Sequence, residues 1–246
     1  MKEKNEDSWL LIQRALCRKA PADVTIKLID MWPESARLND EERRLPIRLA
    51  LENEALTEVI FKLINVWPGS IKEKKEDQSL AIHWALRNNV LPEVTLKLIE
   101  VWPESVRETD KPGWLPIQLA LDFGAPAEVA IKLIDVWPEC VKEKSKDGKL
   151  LIQRALDPSG GDSAAIRSEA SISVLHSIIK ADLKTGKAGS DSGSWNWIVE
   201  SPEREDAAMK ILDLCTDDEV KELAESCETT GGHRKVKNNF AETQVV

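Results

Sequence analysis

The chain contains no tyrosine and only 3 Phe, 3 Met and 3 His among its 246 residues. So few histidines, lying far apart at positions 83, 176 and 233, give no pair with metal-ligand spacing. The 4 Cys form no CxxC pair, which argues against a disulfide framework and for a reducing compartment, the cytoplasm or nucleus. No apolar run approaches the roughly 20 residues that span a bilayer, and the charged start "MKEKNEDSW" is unlike a signal peptide. An excess of positive charge is also missing. The net charge is −9, and residues 200–228 alone carry −8, so no basic face points to nucleic acid.

Against these gaps stand 9 Trp. Four of them open a Trp-Pro pair, at Trp32-Pro33, Trp67-Pro68, Trp102-Pro103 and Trp137-Pro138, each step being 35 residues. Leu10, Leu45, Leu80, Leu115 and Leu150 keep the same step, as do Ala15, Ala50, Ala85, Ala120 and Ala155. Val24, Val59, Val94 and Val129 follow it too. A fixed period in this range marks a stacked repeat array, and hence an all-α chain of helical hairpins.

Each unit reads as two short helices. The first is "LPIRLALEN" (45–53) or "LPIQLALDF" (115–123), with Pro46 and Pro116 near the first turn, where a missing N–H costs nothing. The second is "EVIFKLINV" (58–66) or "EVAIKLIDV" (128–136), with Val129, Leu133 and Val136 sharing one face. Asp23, Glu58, Glu93 and Glu128 open the second helix, where the helix dipole favours a negative charge. A residue before proline is pushed out of the α region, so Trp-Pro ends this helix at a defined point. The indole is expected to fold back as core, burying about 150–250 Å². The rival reading is a row of ligand-stacking aromatics.

These residues resemble the ankyrin repeats. The fourth unit, "DKPGWLPIQLALDFGAPAEVAIKLIDVWPE" (110–139), matches best, and "SLAIHWAL" places His83 at that family's His position. The departures are a period of 35, Leu at the family's Thr position and Trp in place of the exit Gly. The resemblance implies a solenoid with short finger loops, and His83 bonded to backbone groups of an adjacent loop. It also implies non-catalytic binding of a partner protein on a concave face of fingers and first helices, as a scaffold or adaptor without cofactor or metal. By the same resemblance, the variable finger position is Trp9, Arg44, Ser79, Trp114 and Lys149. Variation at one fixed repeat position is expected of exposed residues, and Trp and Arg dominate binding hot spots. Packing of Trp9 and Trp114 on neighbouring fingers is the alternative. A 35-residue helical hairpin also describes the RNA-binding pentatricopeptide repeats, which are basic, whereas this chain has a pI near 5.1.

The expected organisation is about five repeats over 1–183, the fifth carrying an insertion near 157–171. A flexible linker (184–194), a degenerate helical cap (195–228) with Thr216 capping a helix, and a disordered tail (229–246) follow. The start "KEKNED" (2–7) aligns with the fingers "KEKKED" (72–77) and "KEKSKD" (142–147), so the chain begins inside a finger, as an uncapped array or a fragment of a longer one. His176 reads as a boundary residue, and Cys227 with His233 could share a metal ion only with outside ligands. The acidic 200–228 segment offers a surface to a basic partner, or is simply a solvated cap. No phosphate loop or nucleophile elbow occurs: "GSDSGSW" (189–195) lacks the P-loop Lys and the elbow's spacing, so no enzyme is expected.

Overall fold

A computed structural model describes residues 6–40, 42–74, 78–156, 169–185, 198 and 205–229. The expected tail, most of the linker and most of the 157–171 insertion lie outside these residues. So do the side chains of Trp9 and Cys227, and all of His233. Among the described residues there are twelve α-helices and no strand, and no helix is long and apolar enough to cross a membrane.

The chain forms two compact units, Met1–Ala125 and Pro126–Val246. The first unit holds α1 (Glu6–Cys17), α2 (Ala22–Met31), α3 (Pro46–Glu52), α4 (Thr57–Val66), α5 (Ala81–Arg87), α6 (Pro92–Val101) and α7 (Pro116–Asp122). Helices α1, α3, α5 and α7 pack in succession as one layer, and α2, α4 and α6 as a second. Ile12, Leu16, Ile29, Leu49, Leu51, Ile60, Leu63, Ile64 and Leu98 fill the space between the layers.

Three local devices recur in the first unit, two of them at every 35-residue step and the third at a step of 70. At the first-helix exits, Lys19, Glu54, Asn89 and Gly124 all adopt positive φ, between 46° and 66°. The next residue donates its N–H five residues back, from Ala20 to Ala15, Ala55 to Ala50, Val90 to Ala85 and Ala125 to Ala120, at 2.8–3.1 Å. This Schellman closure satisfies carbonyls that a helix end otherwise leaves open.

At the second-helix exits, Trp32, Trp67 and Trp102 leave the α region (φ −138° to −144°, ψ 74° to 84°), while their N–H groups still reach Leu28, Leu63 and Leu98. The prolines then start 3₁₀ turns, Pro33–Arg37, Pro68–Lys72 and Pro103–Arg107, a feature the sequence reading did not foresee. The third device is a finger loop. Asp40 donates its N–H to the Arg44 carbonyl, Asp110 to that of Trp114, and Arg43 and Gly113 turn the corner at positive φ.

The tryptophans are less buried than a core reading requires. Trp67 and Trp102 are half-buried against the core, and Trp32 is 39% exposed. The Arg37 guanidinium sits 5.9 Å from the Trp67 ring centroid and Lys72 Nζ 5.4 Å from that of Trp102, so each ring face is taken by a cation from the preceding turn. That occupancy argues against free ligand-stacking rings at these two positions. The first hairpin has no preceding neighbour in the described structure, and Val24 is 43% exposed there where Val59 is 3% exposed.

In the second unit, α8 (Ala127–Val136) ends at Trp137 and is followed by the 3₁₀ turn Pro138–Lys142 and by α9 (Leu151–Ala155). The long α10 (Glu169–Lys184) packs on α8, that turn, α9, α11 (Glu205–Leu212) and α12 (Asp217–Thr229). Leu175, Ile178 and Ile179 of α10 are buried, with Leu133, Ile134, Ile211 and Leu223. Thr216 caps α12: its Oγ1 accepts the Glu219 N–H at 3.4 Å, and its own N–H donates to Glu219 Oε2 at 2.9 Å.

Candidate interaction surface

The finger loops and the first helices build the candidate surface of the first unit. Arg44 ends one finger. Its N–H donates to Asp40 Oδ1 at 2.7 Å, and its guanidinium contacts Asp40 at 2.8 Å, Glu42 at 3.2 Å and Glu52 at 3.7 Å. These carboxylates hold its pKa above the ordinary value although burial pulls it down. Trp114 occupies the same place on a later finger, half-buried, with its N–H on Asp110 Oδ1 at 2.8 Å.

Ser79 departs from the expected row. It is 2% exposed, so it is a framework residue rather than an exposed contact. Arg87 Nη1 donates to Ser79 Oγ at 3.2 Å and also pairs with Asp110, whose side chain is fully enclosed. A small hydroxyl fits beneath that ion pair. In the second unit, Lys149 holds the equivalent local position, half-buried, its carbonyl accepting both the N–H and the Oγ–H of Ser145 at 2.9 Å. The structure therefore carries Arg44 and Trp114 on equivalent finger positions of one unit, and places Lys149 in the other.

His83 is fully buried. Its Nδ1 accepts the Leu80 N–H at 3.0 Å, so Nε2 carries the proton and donates to the Glu108 carbonyl at 3.0 Å. Gln118 and Gln153 serve the same capping purpose, their Oε1 atoms accepting the N–H groups of Leu115 and Leu150. The His position is structural, as the family resemblance implied.

Sequence reasoning missed a niche between α3, α5 and the Pro68–Lys72 turn. It is a shallow, open recess lined by Leu45, Ile47, Arg48, Ser70, Glu73, Ser79, Ala81 and Trp84. The Arg48 guanidinium lies 3.9 Å from the Trp84 ring centroid and is held by Glu52 at 2.7 Å. Two polar atoms facing this region, Ser70 Oγ and Trp84 Nε1, are buried without a hydrogen-bond partner among the described residues. Indole N–H is a donor only, so this end of the niche calls for an acceptor oxygen. The sequence signal was Trp84 standing where the two adjacent units have Leu49 and Leu119 and the outer ones Arg14 and Arg154.

No protein-family model matches the chain, and comparison with the curated proteins finds no match.

Proposed function

We propose that the chain is a non-catalytic protein-binding module: an ankyrin-like solenoid of 35-residue hairpins that meets a partner protein through its finger loops and first helices. The observation that carries this reading is the niche beside Arg48. A recess with an aromatic wall and a cation, and with the unpaired Trp84 N–H buried at that wall, suits a carboxylate or carbonyl of another polypeptide. The recurring bonds support it as well. Schellman closures, finger hairpins and His or Gln caps maintain the framework, while the finger position changes from Arg44 to Trp114 to Lys149 without disturbing them. Trp9 belongs to the same repeat position by sequence.

Affinity capture from native lysate tests the reading. Wild type is compared with Arg44→Ala/Trp114→Ala and with Trp84→Phe, which keeps the ring and removes the N–H, after circular dichroism confirms that all are folded. Proteins lost from both variants are the expected result. An unchanged set of captured proteins would contradict the proposed face, and RNA in the wild-type eluate would favour the pentatricopeptide-like alternative.

A further inference from the structure

Three residues distant in sequence converge in the second unit. His176 lies on α10, Cys215 in the turn before α12, and Glu219 in the first turn of α12. His176 Nε2 or Nδ1, Cys215 Sγ and a Glu219 carboxylate oxygen all lie within 4.8 Å of one another. We propose that His176, Cys215 and Glu219 form a zinc site that ties α10 to the start of α12.

The donor set is one nitrogen, one sulfur and one carboxylate oxygen, which suits Zn²⁺ and excludes the oxygen-only preferences of Mg²⁺ and Ca²⁺. Zinc bonds of about 2.0–2.3 Å place tetrahedral ligands roughly 3.5 Å apart, so a contraction of about 1 Å closes the cluster on an ion. His176 Nε2 is 3.7 Å from Glu219 Oε2.

A second observation points the same way. His176 Nε2 is sealed from solvent, and apart from the 3.7 Å contact to Glu219 Oε2, too long for a hydrogen bond, it has no hydrogen-bond partner among the described residues. A buried ring nitrogen in that state calls for an ion or a bound water.

Glu219 is already positioned for the role. Oε2 accepts the Thr216 N–H and retains a second lone pair, while Lys180 Nζ holds Oε1 at 3.1 Å. Both contacts orient the carboxylate, as outer partners do for metal ligands. Binding replaces the Cys215 thiol proton, which leaves to solvent, and forms one Zn–S bond. Burial, followed by the Glu219 charge, pushes that thiol up to about 11, so in the ion's absence Cys215 stays a neutral thiol near neutrality. Three protein ligands leave a fourth position for water or for a residue of a partner. The cluster escaped the sequence reading because 39 residues separate His176 from Cys215.

The test uses the full chain with Co²⁺ and Zn²⁺ as probes. Co²⁺ is expected to bind one per chain with a thiolate-to-cobalt absorption band that Cys215→Ser abolishes. Zn²⁺ is expected to raise the thermal midpoint of wild type but not of Cys215→Ser or His176→Gln. Glu219→Gln, which can keep the Thr216 cap, is expected to weaken Zn²⁺ binding at least about tenfold. A readout free of mutation is alkylation of wild type followed by mass spectrometry, in which Zn²⁺ is expected to shield Cys215 and leave the exposed Cys17 reactive. Absence of one-to-one binding, binding unchanged in the variants, or Cys215 alkylated equally fast with and without Zn²⁺ would each overturn the site.

Discussion

The Asp110 carboxylate closes a finger loop and anchors an arginine at once: Oδ1 accepts the Trp114 N–H at 2.8 Å, and Oδ2 receives the Arg87 guanidinium. The carboxylate is wholly enclosed, whereas Arg87 keeps a partial path to solvent. Removing one partner of a buried pair strands the other, which costs about 3–5 kcal/mol. Asp110→Ala is therefore expected to lose at least about 3 kcal/mol in urea denaturation, with the partly exposed Arg87 keeping it near the lower end. Asp40→Ala, whose partner Arg44 retains Glu42 and Glu52, is expected to lose less.

The left-handed exits give a prediction of opposite sign. Glu54 holds φ 54° where the fourth repeat has Gly124 at 66°. A side chain in this region costs about 1–2 kcal/mol, partly offset by the greater freedom of glycine in the unfolded chain. Glu54→Gly is expected to stabilise by about 0.5–1 kcal/mol. Gly124→Ala is expected to destabilise by about 1 kcal/mol through backbone strain alone, since a Cβ there meets nothing within 4 Å. Paired denaturation curves check both signs.

Burial of His83 yields a test of its role. Gln does the same capping work in Gln118 and Gln153, so His83→Gln is expected to stay within about 1 kcal/mol of wild type. His83→Leu leaves the Leu80 N–H and the Glu108 carbonyl without this partner, and is expected to cost about 2–4 kcal/mol. Thermal melts of the two variants separate them.

Helix positions were legible because they depend on local chemistry. Proline after each Trp stops a helix whatever surrounds it, and α4 and α8 end at Val66 and Val136 as read. The 3₁₀ turns were not legible, since they depend on how far Trp ψ swings before Pro. Nor were the left-handed exits, because Lys19, Glu54 and Asn89 carry no glycine to mark them. Of the candidate surface, the row at 9, 44, 79, 114 and 149 came from the family resemblance and the 35-residue step. Ser79 sank beneath Arg87 because of a charge 31 residues further on, at Asp110. The Ser70–Trp84 niche likewise needs two elements brought together in space.

The cysteines differ in reactivity for physical reasons. Burial, with Glu139 and then Glu143 adding, pushes the Cys140 thiol up to about 12, above its ordinary 9.0. A raised thiol keeps its proton in the folded state while the unfolded chain ionises. Its contribution to stability is thus present below pH 9.0 and is lost as pH rises from there towards about 12. Iodoacetamide at pH 8 is expected to modify the exposed Cys17 and spare Cys140 until denaturant is added. Mass spectrometry of the two peptides decides it.

Trp67 and Trp102 each pack against the turn of the hairpin before them, Trp32 has no such neighbour among the described residues, and the difference allows a direct test. Trp102 packs on the core with Lys72 Nζ 5.4 Å from its ring centroid, whereas Trp32 is 39% exposed. The decisive measurement is the loss of unfolding free energy in Trp102→Ala and in Trp32→Ala, by urea denaturation under one set of conditions. This packing predicts about 3 kcal/mol for Trp102, the lower end for a large aromatic, and about 1 kcal/mol or less for Trp32. Equal losses, or a Trp102 loss below about 1 kcal/mol, would contradict it.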